Sequence, residues 1–363
     1  AARYGQRVAS SVLAALSPSM AWSSGDLLSG KYRLVRHLGA GSAAEAWEAE
    51  NVLLGRTVAV KILHDHLAKD ASTRTHFLSE ARAAARIAHP NVVDVFDIGV
   101  SDEGAPFIVM ELCNGETLST VIDGRGPMGV SYAVDLVMQV LSALHAAHGL
   151  GIVHRDLKPD NLIVVHPHPD QPVVKVLDFG IAQGAFGDGQ AHGAGEERGG
   201  IFGTPEYMPP EQARGEAVDA RADVYAAGAI LYELLTGKPP FEGPSPTEII
   251  AKLLVRPPLP PSRGNKAIPA ELDRIVVSAL AKSPAKRPQT AAALLGQLAP
   301  FGTSTKPSLP PLTESEAPLP LVTERLGPQK SVPVAPPAGR APILELLLDS
   351  NPPDIHPLSN RKA

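Results

Sequence analysis

Between residues 154 and 180 the chain reads His154-Arg155-Asp156-Leu157-Lys158-Pro159-Asp160-Asn161, then two apolar stretches, then Asp178-Phe179-Gly180. No other part of the sequence limits the fold as tightly. The apolar stretches 162–165 and 173–177, joined by the proline-containing turn 166–172, read as a β-hairpin. A tight loop followed by that hairpin brings Asp156, Asn161 and Asp178 to one place. Any one of these residues alone would be a turn cap. Their spacing as a set is what a site needs.

The chemistry suited to such a set is phosphoryl transfer, which asks the protein for positioning and charge neutralisation rather than covalent catalysis. Asp156 is the candidate base, Lys158 the cation facing phosphate, and Asn161 and Asp178 the candidate metal ligands. Upstream, Gly39-Ala40-Gly41-Ser42-Ala43-Ala44 lies between expected strands at 32–38 and 46–49. Backbone amides approach phosphates where side chains do not block them, and glycine also permits φ > 0. Lys61 ends Val58-Ala59-Val60-Lys61, an otherwise buried strand pattern, and a lysine there needs a partner. Glu80, on a helix expected over 75–88, is that partner. His166 and His168 fall in the hairpin turn among prolines and read as a solvated turn rather than a metal site.

With these stretches in view, the chain resembles a eukaryotic-like (Hanks-type) Ser/Thr protein kinase of the bacterial branch. The resemblance runs from Tyr32 to Phe301. Leu38-Gly39-Ala40-Gly41 resembles the glycine-rich loop, and Val58-Ala59-Val60-Lys61 the strand with the phosphate-binding lysine. His89-Pro90-Asn91 resembles the turn after the paired helix, and Gly203-Thr204-Pro205-Glu206 through Glu211 the end of the activation segment. Asp223-Val224-Tyr225 and Lys286-Arg287-Pro288 resemble late motifs of the large lobe.

The resemblance implies an α+β, bilobal fold with a small, mainly β N-lobe (32–112) carrying one key helix and a larger, mainly α C-lobe (113–301). Residues 1–31 would be an N-terminal extension and 302–363 a proline-rich, disordered tail. It also implies ATP with Mg²⁺, or Mn²⁺ in its stead. The Lys61–Glu80 pair would hold the α/β-phosphates. Met110 would be the gatekeeper, and the backbone of Glu111 and Cys113 would bond the purine edge. Leu38, Ala46 and Ala59 would roof the ring and Ile163 would floor it. Lys158, two residues after the base, together with Thr204, implies serine and threonine as acceptors. Glu211 and Arg287 would form a buried ion pair, and Asp223 would cap the catalytic loop from a helix at 224–236. Ala44 and Ala46 depart from the family's glycine and valine, which implies weaker nucleotide binding.

Composition sets outer limits. A net charge of −5 and 4% aromatic residues give no footprint for nucleic acid. Cys113 is the one cysteine, which excludes an internal disulfide and fits a reducing, cytoplasmic setting. No uninterrupted apolar run of about 18 residues appears, so no membrane span is expected. Residues 8–16 after Arg3 and Arg7 loosely mimic a signal peptide but read as a short amphipathic extension. From Pro307 onward prolines recur and periodic patterns vanish. Within that tail, Ile343-Leu344-Glu345-Leu346-Leu347-Leu348 reads as a docking peptide or as a segment that packs on the domain.

Between Asp178 and Gly203 there is no Ser, Thr or Tyr. The expectation is activation without phosphorylation of that loop, through Glu196 or Glu197 beside Arg155, a docked partner or a homodimer. Two rival readings remain at this stage: a catalytically weak or inactive kinase-like scaffold, and a small-molecule phosphotransferase. The first is opposed by the presence of Lys61, Asp156 and Asp178, the second by the peptide-platform motif 203–211.

Overall fold

The structure, a computed structural model, describes residues 22–168, 171–179 and 204–303. The expectations for residues 1–21, for Gly180, Glu196, Glu197 and Gly203, and for the tail with its 343–348 segment lie outside the described residues.

The small lobe follows from strand periodicity. Strands β1 (Leu27–Leu28), β2 (Tyr32–Ala40), β3 (Ala44–Asn51) and β4 (Arg56–Leu63) are followed by helices α1 (Asp65–Ala68) and α2 (Ala71–Ala84), then by β5 (Val95–Val100) and β6 (Pro106–Met110). The six strands form one antiparallel sheet in the order β1-β2-β3-β4-β6-β5. Side chains alternate across a strand. Val58, Val60 and Ile62 therefore enter one apolar layer with Leu34, Trp47 and Phe107. Ala59 and Lys61 fall on the other face, which α2 covers through Phe77 and Ala81 against Ala44, Leu63 and Ile108.

Two expectations shift here. Helix α2 starts at Ala71 and ends at Ala84, about one turn ahead of the expected 75–88 at both ends. Asp70 is the reason for the early start. Its carboxylate accepts from the Thr73 N–H at 2.7 Å and from the Thr73 hydroxyl at 2.6 Å, satisfying a donor that a helix start leaves open. The early stop follows from Arg86 N–H and Ile87 N–H bonding back three residues, to Ala83 O and Ala84 O, which tightens the last turn. Residues 22–31, assigned to an extension, belong to the sheet: Trp22 and Leu28 are buried in its apolar layer, and Leu34 N–H bonds Asp26 O at 2.8 Å.

The large lobe runs β7 (Gly115–Thr117), α3 (Leu118–Arg125), α4 (Val130–Gly149), β8 (Leu162–His168), β9 (Gln171–Val176), α5 (Pro210–Ala213), α6 (Arg221–Thr236), α7 (Pro246–Val255), α8 (Ala270–Ala279) and α9 (Ala291–Leu298). Strands β7, β8 and β9 form a small sheet in that order. The hairpin is longer and its turn shorter than expected, with His168 opposite Gln171. Helix α4 is long and apolar enough to cross a membrane by length and composition, at mean hydropathy 1.3. Its Val134, Leu136, Val137, Leu141 and Leu144 are nevertheless buried in the lobe's core beside α6 and α9, so here it is a core helix.

The chain after α2 is pinned to the large lobe. Val93 N–H bonds Val176 O at 3.1 Å and Val176 N–H bonds Asn91 O at 2.8 Å. The Asn91 amide donates to Val174 O and to Gln139 Oε1, and His89 Nε2 meets the Ser142 hydroxyl at 3.0 Å. The motif His89-Pro90-Asn91 is thus a fastening between lobes.

Candidate active site

Asp223, in the first turn of α6, organises the catalytic loop. Its two carboxylate oxygens accept from His154 N–H at 2.8 Å and Arg155 N–H at 2.9 Å, and His148 Nε2 approaches it at 2.7 Å. The His154 ring reaches Leu177 O at 2.9 Å and lies 4.9 Å from the Phe179 ring, which is itself buried. Arg155 and Asp178 take left-handed backbone angles, φ 65° and 48°. Non-glycine residues are held there at a cost, a kind of strain that gathers at functional sites.

Around this frame the expected groups converge. Asp156 Oδ2 accepts from Lys158 Nζ at 2.8 Å. Asn161 Nδ2 donates to Asp156 O at 2.8 Å, which leaves its amide oxygen as the remaining acceptor of the side chain. Leu177 N–H bonds Asn161 O at 2.9 Å, so the loop and the hairpin exit are tied directly. Asp156, Lys158 and Thr204 line one depression with Tyr207 and Met208. Among the described residues no hydrogen bond joins the Thr204 hydroxyl to Asp156 or Lys158; the three share one wall of that depression.

Lys61 departs from the expected pairing. Its Nζ meets Asp178 Oδ1 at 2.7 Å, and no ion pair with Glu80 forms among the described residues. Glu80 still faces the site, lining the cavity behind Met110 with Ala81, Ala84 and Asp178. The carboxylate that lies against the ammonium is that of Asp178, whose backbone is left-handed at φ 48°. Burial pulls the Lys61 ammonium down, but Asp178 and then Glu80 outweigh it, and its pKa is raised. Burial pushes Asp178 up, but Lys61 holds it below the ordinary carboxylate range. Glu80 is pushed up to about 7 by burial, opposed by Lys61 and reinforced by Asp178 and Asp156.

The nucleotide side is read from register. Ala46 stands opposite Lys61, and Ala59 opposite Met110, so all four share one sheet face. Ala46, Ala59, Met110, Glu111, Cys113 and Ile163 are each half-buried, as cleft walls are, while Leu38 is 40% exposed at the rim. Glu111 N–H bonds Asp94 O at 2.9 Å, and Gly115 N–H bonds Cys113 O at 3.1 Å. Neither bond uses the Glu111 carbonyl or the Cys113 N–H. Burial and then Glu111 push the Cys113 thiol up to about 11, so it stays protonated. A Cβ at Gly115 would collide with Val164 O and Ile163, so only glycine lets this connection lie on β8. Gly39 and Gly41, by contrast, do not adopt positive φ. Their value is open space, with nothing within 4 Å of a Cβ at Gly39; Ala40 and Ser42 beside them are exposed.

Further down the large lobe, Arg287 donates to both carboxylate oxygens of Glu211 at 2.7 and 2.6 Å. Both side chains are buried, and Arg287 also bonds Ala281 O and Arg221 O. Sequence reasoning missed Lys175, whose Nζ meets Glu111 Oε2 at 2.8 Å and ties β9 to the hinge. A lysine inside Val173-Val174-Lys175-Val176 was the available signal. It also missed His148, which gives no local signal for its role behind Asp223.

Comparison with known proteins gives consistent matches. The protein kinase domain family matches residues 32–297. Serine/threonine-protein kinase PknB of Mycobacterium tuberculosis is 40% identical over 293 residues, covering 80% of this chain and 46% of its own length. Serine/threonine-protein kinase pkn3 of Myxococcus xanthus is 42% identical over 278 residues, covering 76% and 50%. The crystal structure of the Mycobacterium tuberculosis PknI kinase domain aligns with TM-score 0.61 and 28% identity, covering 78% of this chain and all of that one. This chain spans about half the length of the curated relatives it matches.

Proposed function

Because the chain belongs to the protein kinase family, in its bacterial serine/threonine branch, we propose that it transfers the γ-phosphate of ATP to serine and threonine hydroxyls of proteins in bacterial signalling. The observation that carries this reading is the arrangement of Asp156, Lys158 and Asn161 on one loop, facing the Lys61–Asp178 pair. Asp156 accepts or orients the proton of the acceptor hydroxyl, and Lys158 steadies the phosphoryl group being moved. Lys61 binds the nucleotide phosphates, and the hinge at Glu111 and Cys113 orients the purine. The catalytic unit is the two-lobed stretch 32–301, with residues 22–31 completing its small-lobe sheet, acting in the cytoplasm where ATP is supplied.

The family implies a divalent ion along with ATP, and the donor set suits Mg²⁺, with Mn²⁺ as substitute. The amide oxygen of Asn161 and the carboxylate of Asp178 are hard oxygen donors, the kind Mg²⁺ takes when it keeps several waters. When bound, the ion neutralises charge on the phosphate oxygens.

The test is incubation with labelled Mg·ATP and a panel of bacterial proteins, followed by phosphoamino-acid analysis. Phosphoserine and phosphothreonine are expected. Dominant phosphotyrosine would overturn the acceptor assignment, and nucleotide binding without turnover would leave a scaffold.

A further inference from the structure

One side chain outside the family's motifs acts on the glycine-rich turn. His64 follows directly on β4, and its backbone is fixed at three points. Its N–H bonds Ala43 O at 3.0 Å, and its carbonyl accepts from Leu67 N–H and Ala68 N–H, both at 2.9 Å, as the N-cap of α1. The ring lies against His66, with centroids 5.7 Å apart and planes 17° apart. So held, His64 Nε2 sits 3.0 Å from the carbonyl oxygen of Gly41. A carbonyl can only accept, so Nε2 carries the proton.

That bond has a directional consequence. The peptide between Gly41 and Ser42 is planar and trans, so its N–H points opposite to its C=O. Strand β4 ends at Leu63, and His64, with φ −60° and ψ 139°, carries its extended backbone one residue further as the N-cap of α1. With the Gly41 carbonyl drawn to the His64 ring, the Ser42 N–H of the same peptide points away from that ring. On its other side the turn is closed by Gly41 N–H bonding Ala44 O at 2.8 Å. Gly41 is thus tied through both its N–H and its C=O.

We propose that His64 is a positioning residue for nucleotide phosphate: through the Gly41 carbonyl it presets the Ser42 amide as a phosphate donor. The proposal rests on the reading of this cleft as the ATP site. It also gives a reason why a loop with Ala44 in place of glycine serves. The turn is preset by a side chain rather than left free to adapt.

The experiment compares wild type with His64→Phe, which keeps a ring against His66 but has no donor, and with His64→Gln, which restores an N–H donor. Affinities for Mg·ATP and for adenosine are measured by calorimetry, kcat and KM by turnover, and the exchange rate of the Gly41 amide by mass spectrometry. His64→Phe should weaken Mg·ATP and raise its KM by roughly two- to tenfold, the effect of one hydrogen bond. Adenosine affinity and kcat should change little, Gly41 exchange should quicken, and His64→Gln should recover part of the ATP affinity. Equal loss for ATP and adenosine would make His64 a general support of the lobe and overturn the proposal, as would unchanged ATP affinity. A wild type that binds no ATP would refute the functional reading instead. The clamp would then stand or fall on the Gly41 exchange rate, where no change in His64→Phe contradicts it.

Discussion

Asp223 holds two backbone amides of the catalytic loop and is itself held by His148, while His154 reaches across to Leu177 and Phe179. Across the cleft, Lys61 relies on its ion pair with Asp178, and Glu80 faces the same space without an ion pair among the described residues. The large-lobe half of the site is fixed several times over; across the cleft the glycine turn is tied at Gly41, but the charged groups Lys61 and Glu80 are held by few contacts. In the proposed function the first half handles the acceptor proton and the second binds the nucleotide phosphates. The first is therefore preorganised, and the charged groups of the second are free to change partners when nucleotide arrives. Preorganised charge and donors lower a barrier without rearrangement at the moment of reaction.

The largest effect that sharpens this contrast falls where the halves meet. Asp178→Asn should lose Mg²⁺-dependent nucleotide binding and turnover together, because Asp178 pairs with Lys61 and is the proposed metal ligand. Titration calorimetry with and without Mg²⁺ beside a turnover assay checks it. Intact affinity would mean the small lobe does not depend on this pair.

On the over-determined side, Glu211→Gln leaves the buried Arg287 guanidinium without its counter-charge. Breaking one partner of a buried pair costs about 3–5 kcal/mol, which for a domain this size is a fall in Tm on the order of 10 °C. Thermal unfolding that moves by a degree or two would show the large lobe to be less tightly determined than its hydrogen bonds imply.

Glu80 tests the adjustable side through pH. Its folded pKa, about 7, lies above the ordinary 4.5. A raised pKa contributes stability that is full below 4.5 and lost as pH climbs through about 7. In nucleotide-free protein, Glu80→Gln should therefore gain Tm relative to wild type on going from pH 5 to pH 8, by a few degrees. A gap that stays constant across that range would mean Glu80 is already paired.

The smallest expected effect concerns the end of the described residues. Thr303 N–H and hydroxyl bond Asp135, which fastens the chain to α4. Ending the chain after Lys306 should leave Tm and turnover nearly unchanged. A drop of several degrees in the melting curve would show that the segment 343–348 packs on the domain.

Much of the large-lobe site was legible because its groups lie close in sequence. Asp156, Lys158 and Asn161 fall within one loop, and the hairpin that returns Asp178 is short, so local spacing implies proximity. The small-lobe pairing was not legible. Lys61, Glu80 and Asp178 come from three distant segments, and which carboxylate meets the lysine depends on the left-handed turn at Asp178, which no local pattern encodes. The start of α2 was misplaced because Asp70 caps a helix whose first turns carry little apolar signal. Trp22 and Leu28 were missed because β1 is two residues long and is recognisable only by its partner β2.

In the proposed division of labour the catalytic loop handles the acceptor hydroxyl while the opposite half handles the nucleotide. Asp156→Asn tests it most directly, with phosphotransfer and Mg·ATP affinity measured on the same preparation. Transfer should fall by about 10²–10⁴-fold, the usual contribution of a positioned acid–base group, while affinity stays within a few-fold of wild type. Transfer that survives at more than a few per cent, or affinity that collapses with it, would contradict the division of labour.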